Sequence, residues 1–137
     1  MSDPNCIFCK IITGEIPSEK IYEDEKCLAF LDIRPVVPGH VLVVPKNHCR
    51  NIFDATPEDI TSLFLVVKKI STALKQALNC DGVNIQNNNE SAAGQVIMHL
   101  HIHLIPRYQD DNLHLWPGTD YEPGQISLIA EKIRKEI

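Results

Sequence analysis

Three of the chain's six histidines stand at alternate positions, His99, His101 and His103, within the stretch GQVIMHLHIHLIPR that runs from Gly94 to Arg107. Side chains alternate faces along a strand. A strand here puts the three imidazoles on one side and Met98, Leu100, Ile102 and Leu104 on the other. The apolar side should meet the core or a helix. A slip of one residue would bury three imidazoles, so the register is well specified. Three uses of such a row are open on these residues alone. The histidines could face solvent without a role, although Thr, Lys or Glu would suit an exposed strand face equally well. They could share a metal ion for hydrolysis. One neutral imidazole could instead attack phosphorus while its neighbours tune it.

Cys6-x-x-Cys9 is the second candidate group. The N-terminal run Met1-Ser-Asp-Pro-Asn-Cys has neither the basic nor the apolar region of a secretory leader, which points to a cytoplasmic protein. The chain has five cysteines, an odd number, and in that setting the CxxC spacing favours metal or redox chemistry over a disulfide framework. Reduced, partly buried thiols are the plainer alternative. A redox role is disfavoured because no strand leads into the motif as part of a βαβ unit. Cys27 and Cys80 lie in or beside apolar segments and read as core thiols, and Cys49 adjoins His48.

These groups must be positioned by regular elements. Residues 6–13 predict a short helix, ended by Gly14 and Pro17. Residues 20–24, 26–34 and 41–44 predict strands, with a two-proline loop at 35–40. Thr56-Pro57-Glu58-Asp59 is a strong helix start, and apolar positions at helical period carry that helix over 57–80. Residues 82–86 predict a strand, 87–95 a polar loop, and 96–105 the histidine strand, ended by Pro106. Residues 108–121 read as irregular. A last helix over 123–137 would align Ile126, Ile129, Ile133 and Ile137. Hairpin-linked strands with separate helices predict an α+β fold: an antiparallel sheet of about five strands with one long central helix. The length of 137 residues suits a single domain over 1–137.

Composition narrows the partners. The net charge is −5, and no window gathers Lys and Arg into a stripe, which argues against general nucleic-acid binding. No apolar run approaches the roughly 20 residues of a bilayer span, so no membrane association is expected. Small anionic ligands remain compatible, because backbone amides and a few histidines can hold phosphate.

His99-Leu-His101-Ile-His103-Leu-Ile resembles the defining pattern of the histidine triad (HIT) superfamily, and residues 5–48 resemble the N-terminal half of its Hint-like members almost continuously. The resemblance spans roughly residues 5–107. It implies a HIT-like fold and transfer or hydrolysis at the α-phosphate of a purine nucleotide through a nucleotidyl-histidine. Phosphoramidate hydrolysis is the first expectation. Dinucleoside polyphosphate hydrolysis, or a nucleotide-binding adaptor with little turnover, are the alternatives. By this resemblance His101 is the nucleophile, and the His99 carbonyl takes the hydrogen bond from its Nδ1–H. His103 would contact the phosphate or leaving group, and His40 lies at the site's edge. Asp32 would hold the ribose hydroxyls, and Asn88 and Gln95 the phosphate. Ile7, Phe8, Ile11, Phe30 and Ile33 would form the base pocket.

The resemblance further implies a structural zinc on Cys6, Cys9, His48 and His99, and a homodimer with the long helix near the two-fold axis. The segment 113–118 resembles one that in Hint-like relatives lies near the partner's site, making His114 and Trp116 candidates; the alternative is a loop Trp packed on its own protomer. One position departs from the pattern. Eukaryotic Hint-like members carry a proton-donating Ser after the Gly-Gln pair, and this chain has Val96.

Overall fold

The computed structural model describes residues 2–137. Strands β1 (Lys20–Glu23), β2 (Cys27–Leu31), β3 (Val41–Pro45), β4 (Gly82–Gln86) and β5 (Ile102–Arg107) form one antiparallel sheet in the order β1-β2-β3-β5-β4. Three α-helices accompany it: α1 (Ile7–Ile12), α2 (Pro57–Leu78) and α3 (Gln125–Arg134). The expected α+β class holds.

Strands β2 and β3 are apolar at nearly every position because both faces of the sheet are covered. Cys27, Ala29, Val41 and Val43 point to one face and pack on Leu63, Val66, Val67, Ile70 and Leu74 of α2. Leu28, Phe30, Leu42 and Val44 point to the other and pack on Phe8, Cys9 and Ile11 of α1. Each fully buried Leu or Val contributes about 1.5–3 kcal/mol. Helix α2 starts on a capping box: the Asp59 amide donates to Thr56 Oγ1 (3.1 Å) and the Thr56 amide to Asp59 Oδ2 (3.2 Å). It stops at Leu78, with Asn79 in the left-handed region at φ 54°.

Two expectations are corrected. The histidine strand does not begin at residue 96: the ladder runs only from Ile102 to Arg107, and residues 96–101 are irregular. The Leu100 amide donates to the Cys49 carbonyl (2.8 Å), and the His101 carbonyl accepts from Asn87 Nδ2 (2.9 Å), so this run is held by a turn and a side chain. Pro106 sits inside β5. Strand β3 pairs only with residues 102–104, so β5 is a free edge on that side beyond Leu104, where proline is admissible. The second correction concerns the last helix. It is shorter than 123–137, and Ile126, Ile129 and Ile133 remain exposed on it. Ile137 lies beyond its end, also exposed.

Between β2 and β3, Gly39 adopts φ +92°, and a Cβ there would come within 2.4 Å of Leu78 Cδ1. Gly39→Ala should therefore destabilise the fold by about 1–3 kcal/mol. Urea unfolding checks this, and an unchanged midpoint would show that the loop relaxes freely.

Candidate functional site

The run leading into β5 carries the histidines past α1. Leu100, Ile102 and Leu104 are buried on the α2 side, as the alternation predicts. Met98 is not; it is 37% exposed because it precedes the packed segment. On the opposite side the imidazoles are no solvent-facing row. His99 is 0% and His101 6% exposed, and the Phe8 ring stands edge-on to both, with centroids 5.9 and 5.2 Å away.

Each imidazole meets a backbone or imidazole partner that fixes its tautomer. His99 Nε2 lies 2.8 Å from the Pro45 carbonyl, which can only accept, so the His99 proton is on Nε2 and Nδ1 is bare. His101 Nδ1 lies 2.7 Å from the His99 carbonyl, so its proton is on Nδ1 and its Nε2 lone pair is available. The Val36 amide can only donate, and it donates to His40 Nδ1 (3.1 Å). His40 therefore carries its proton on Nε2 and donates it to His103 Nδ1 (2.9 Å). His103, bare at Nδ1, keeps its own proton on Nε2. Along the triad the proton thus sits on Nε2, Nδ1 and Nε2 in turn.

Electrostatics favours the neutral rings. Burial lowers the pKa of His101, against the raising effects of its bond to His99 and of Asp32. Burial, with the neighbouring His101 and His40, pushes His103 down to about 4. Burial also lowers His40, opposed by Asp32. Asp32 Oδ2 stands 3.9 Å from His40 Nε2. Asp32, His40 and His103 lie close enough together to share a cation. However, His40 Nε2 commits its proton to His103, so the two rings form a hydrogen-bonded pair with the Asp32 carboxylate beside it.

A second cluster lies where the bare His99 Nδ1 points. Cys6 Sγ is 3.4 Å from it, Cys9 Sγ 3.6 Å and His48 Nδ1 3.2 Å, while Cys9 Sγ is 3.4 Å from His48 Nδ1. These four residues could hold a metal ion. A tetrahedral ion with Zn–S about 2.3 Å and Zn–N about 2.0–2.1 Å spaces its ligands roughly 3.3–3.8 Å apart. The four atoms are already near those separations, and the bare Nδ1 of His99 is the form that ligates. Cys49, buried with Cys27 in the α2-side core, is not among them.

This arrangement has relatives. The model of the HIT domain matches residues 13–110. The chain belongs to the HIT family. An uncharacterized HIT-like protein of Methanocaldococcus jannaschii is 55% identical to it, with 96% of this chain and 98% of that protein covered. A Candida albicans protein named adenosine 5′-monophosphoramidase is 38% identical, with 99% and 93% covered. The crystal structure of a zinc-bound histidine triad family protein from Mycobacterium smegmatis matches with a TM-score of 0.78 at 38% identity, covering 96% of each chain.

The remaining residues expected from the HIT resemblance divide in two. Asp32 is partly exposed, with Oδ1 taking the Arg34 amide (2.8 Å). Asn88 Oδ1 accepts from Gln86 (3.1 Å), and its Nδ2 lies against Gly94, where a Cβ would be 3.7 Å away. Ile7 and Ile33 are exposed, the latter at 90%. Phe8, Ile11 and Phe30 are buried in the α1-side core, and the Phe8 ring lies against His99 and His101. Gln95 is bonded within the loop. Its Oε1 accepts from the Glu90 amide (2.8 Å) and Asn51 Nδ2 (3.4 Å), and its Nε2 donates to the Arg50 (2.7 Å) and Ile97 (3.1 Å) carbonyls. Both donors and both acceptor positions of the amide are used, so Gln95 builds the loop and presents no side-chain group to a phosphate. Trp116 is 87% exposed and does not pack on its own protomer, and His114 is exposed as well.

Sequence reasoning missed Asn87 and Asn51. Asn87 holds the His101 carbonyl, and Asn51 is a 2%-exposed amide under the loop. The run Asn87-Asn88-Asn89 was a signal, since three short amides in a row suit side-chain-to-backbone bonding.

His40 and His103 are neutral in the fold, and an unperturbed imidazole takes its proton near pH 6.5. Below that pH the unfolded chain binds more protons, so the stability conferred by this pair is complete above about pH 6.5 and declines as pH falls toward 4. Denaturation free energies measured between about pH 7.5 and 4.5 should fall with pH, and His103→Asn should flatten the slope. An unaltered slope would assign the loss to other groups.

Proposed function

We propose that this HIT protein is a purine nucleotide hydrolase or transferase acting at the α-phosphate, with nucleoside phosphoramidates as its substrates. The observation that carries the reading is the 2.7 Å contact from His101 Nδ1 to the His99 carbonyl, which leaves the His101 Nε2 lone pair directed away from its anchor. The Candida albicans relative's name supports the substrate class. In the first step His101 Nε2 bonds to the α-phosphorus while the phosphorus–nitrogen bond to the leaving amine breaks. The amine leaves with the Nε2 proton of His103 in its imidazolium form, the extra proton being taken up with the anionic substrate, so that His103 ends this step as the neutral ring. Water then attacks phosphorus, returns a proton to His103, and releases nucleoside monophosphate and His101. Asp32 and Asn88 are the candidate ribose and phosphate contacts, and exposed Ile7 and Ile33 the candidate base contacts.

Val96 cannot donate a proton, and its side chain is 87% exposed. Protonation of the amine therefore falls to His103. Removing such a general acid costs about 10²–10⁴ in rate. His103→Ala should slow turnover of amine-leaving substrates by that order, and Val96→Ser in that background should recover part of it. Steady-state rates with a series of amines check this, and equal rates for His103→Ala and the parent would remove His103 from the step.

For the nucleophile, rapid-quench intact mass spectrometry with adenosine 5′-phosphoramidate should show a transient adenylyl adduct on the parent protein and none on His101→Gly. Turnover by the variant should fall at least ~10³-fold. No adduct and no turnover, with nucleotide binding retained, would favour the adaptor reading.

Cys6, Cys9, His48 and His99 are proposed to hold a structural zinc. When bound, the ion would add folding free energy and restrain the His99 ring. The Mycobacterium smegmatis structure's bound zinc supports this. Metal analysis of protein purified without chelator should give close to one zinc per chain, and Cys9→Ser should lose it and melt at lower temperature. Metal-free protein with an unchanged melting temperature would overturn the assignment. Homodimer formation fits the bare apolar face of α3.

A further inference from the structure

The loop between β4 and the triad contains a residue in a conformation that side chains avoid. Glu90 has φ 71° and ψ 158°, a region occupied essentially by glycine alone. Every polar group of Glu90 is tied down. Its carboxylate accepts from Arg50 Nη2 (2.7 Å) and Asn51 Nδ2 (2.9 Å). Its amide donates to Gln95 Oε1 (2.8 Å), and its carbonyl accepts from the Ala93 (3.0 Å) and Gln95 (3.1 Å) amides. The anchor is itself rigid: Asp54 takes the Arg50 and Asn51 amides (3.1 and 3.0 Å). From this point the loop runs to the nucleophile. Asn89 Oδ1 accepts the Ile52 amide (2.9 Å), Asn89 Nδ2 donates to Asn87 Oδ1, and Asn87 Nδ2 donates to the His101 carbonyl (2.9 Å).

We infer that Glu90 is a positioning residue: its carboxylate, clamped by Arg50 and Asn51, holds the loop in a glycine-type conformation from which Asn87 fixes the backbone of His101. Two effects oppose each other at this one residue. The β-carbon disfavours the conformation, and the clamped carboxylate restores it. Removing the carboxylate alone leaves the strain uncompensated. Removing the whole side chain abolishes both. A plain surface ion pair that holds nothing predicts instead that alanine matches the parent in melting and in the His101 spectrum.

The inference deepens the nucleotide reading and rests on it for what the loop serves. The test compares the intact metal-loaded parent, Glu90→Ala and Glu90→Gly. Thermal melting and the ¹⁵N imidazole spectrum of His101 are read without substrate, and kcat/KM with adenosine 5′-phosphoramidate is read separately. The alanine variant should melt lower by roughly 3 °C or more. It should shift or broaden the His101 signals and lose on the order of tenfold in kcat/KM, a loss of about 1.4 kcal/mol in transition-state stabilisation. The glycine variant should recover most of all three. Glycine as impaired as alanine, or alanine indistinguishable from the parent, overturns the clamp. If the alanine variant does not fold, Arg50→Met removes one tether while keeping the strained backbone. Reversal of its loss by adding Glu90→Gly supports the clamp, and persistence of the loss overturns it. A parent protein without turnover would defeat the nucleotide reading alone, since melting and the imidazole spectrum still decide the role of Glu90.

Discussion

The hydrogen bond from His101 Nδ1 to the His99 carbonyl is the constraint on which the rest of the site depends. It joins two residues only two positions apart, so it survives only if the backbone between them is fixed from outside. Four contacts do this. The His99 ring is anchored on the Pro45 carbonyl and faces the Cys6, Cys9 and His48 ligand atoms. The Leu100 amide is held by Cys49, its side chain by the α2-side core, and the His101 carbonyl by Asn87. The chain segment with the most exacting geometry is thus outside the sheet ladder and tied to a turn, a strand end and a loop, each approaching from a different part of the sequence.

Burial gives this geometry its chemical value. Water around an imidazole would let it exchange tautomers and take up a proton. Enclosure between Phe8 and the neighbouring rings removes that freedom, and the low dielectric strengthens each remaining hydrogen bond. The result is a set of neutral rings with assigned proton positions, one of which offers a lone pair.

Much of this was legible in the sequence. The helix start at Thr56-Pro57, the strands β2 and β3, and the grouping of Cys6, Cys9, His48 and His99 followed from local pattern and family resemblance. The start of β5 did not. A period-two alternation is equally produced by an irregular run whose odd residues face α1 and whose even residues face α2, and only the identity of the hydrogen-bond partners separates the two cases. Those partners, Cys49 and Asn87, are distant in sequence or are side chains. The internal bonding of Gln95 was hidden for the same reason: its four side-chain bonds go to groups that local pattern does not identify. On α3 the isoleucine spacing gave the helix and its apolar stripe, but spacing carries no information on whether the same chain covers that stripe.

The groups that assign the proton positions of His40, His99 and His101 are the Val36 amide and the Pro45 and His99 carbonyls, all of them main-chain atoms, and His40 passes its assignment on to His103. Main-chain groups persist through ordinary side-chain replacement. A scan that exchanged Val36 or Pro45 for alanine would leave the determinant of each tautomer in place, and only a proline at position 36 would delete that amide. The tautomers of His40, His99 and His101 are therefore set by a part of the molecule that side-chain replacement does not reach, and drift at positions 36 and 45 can proceed without removing the groups that set them.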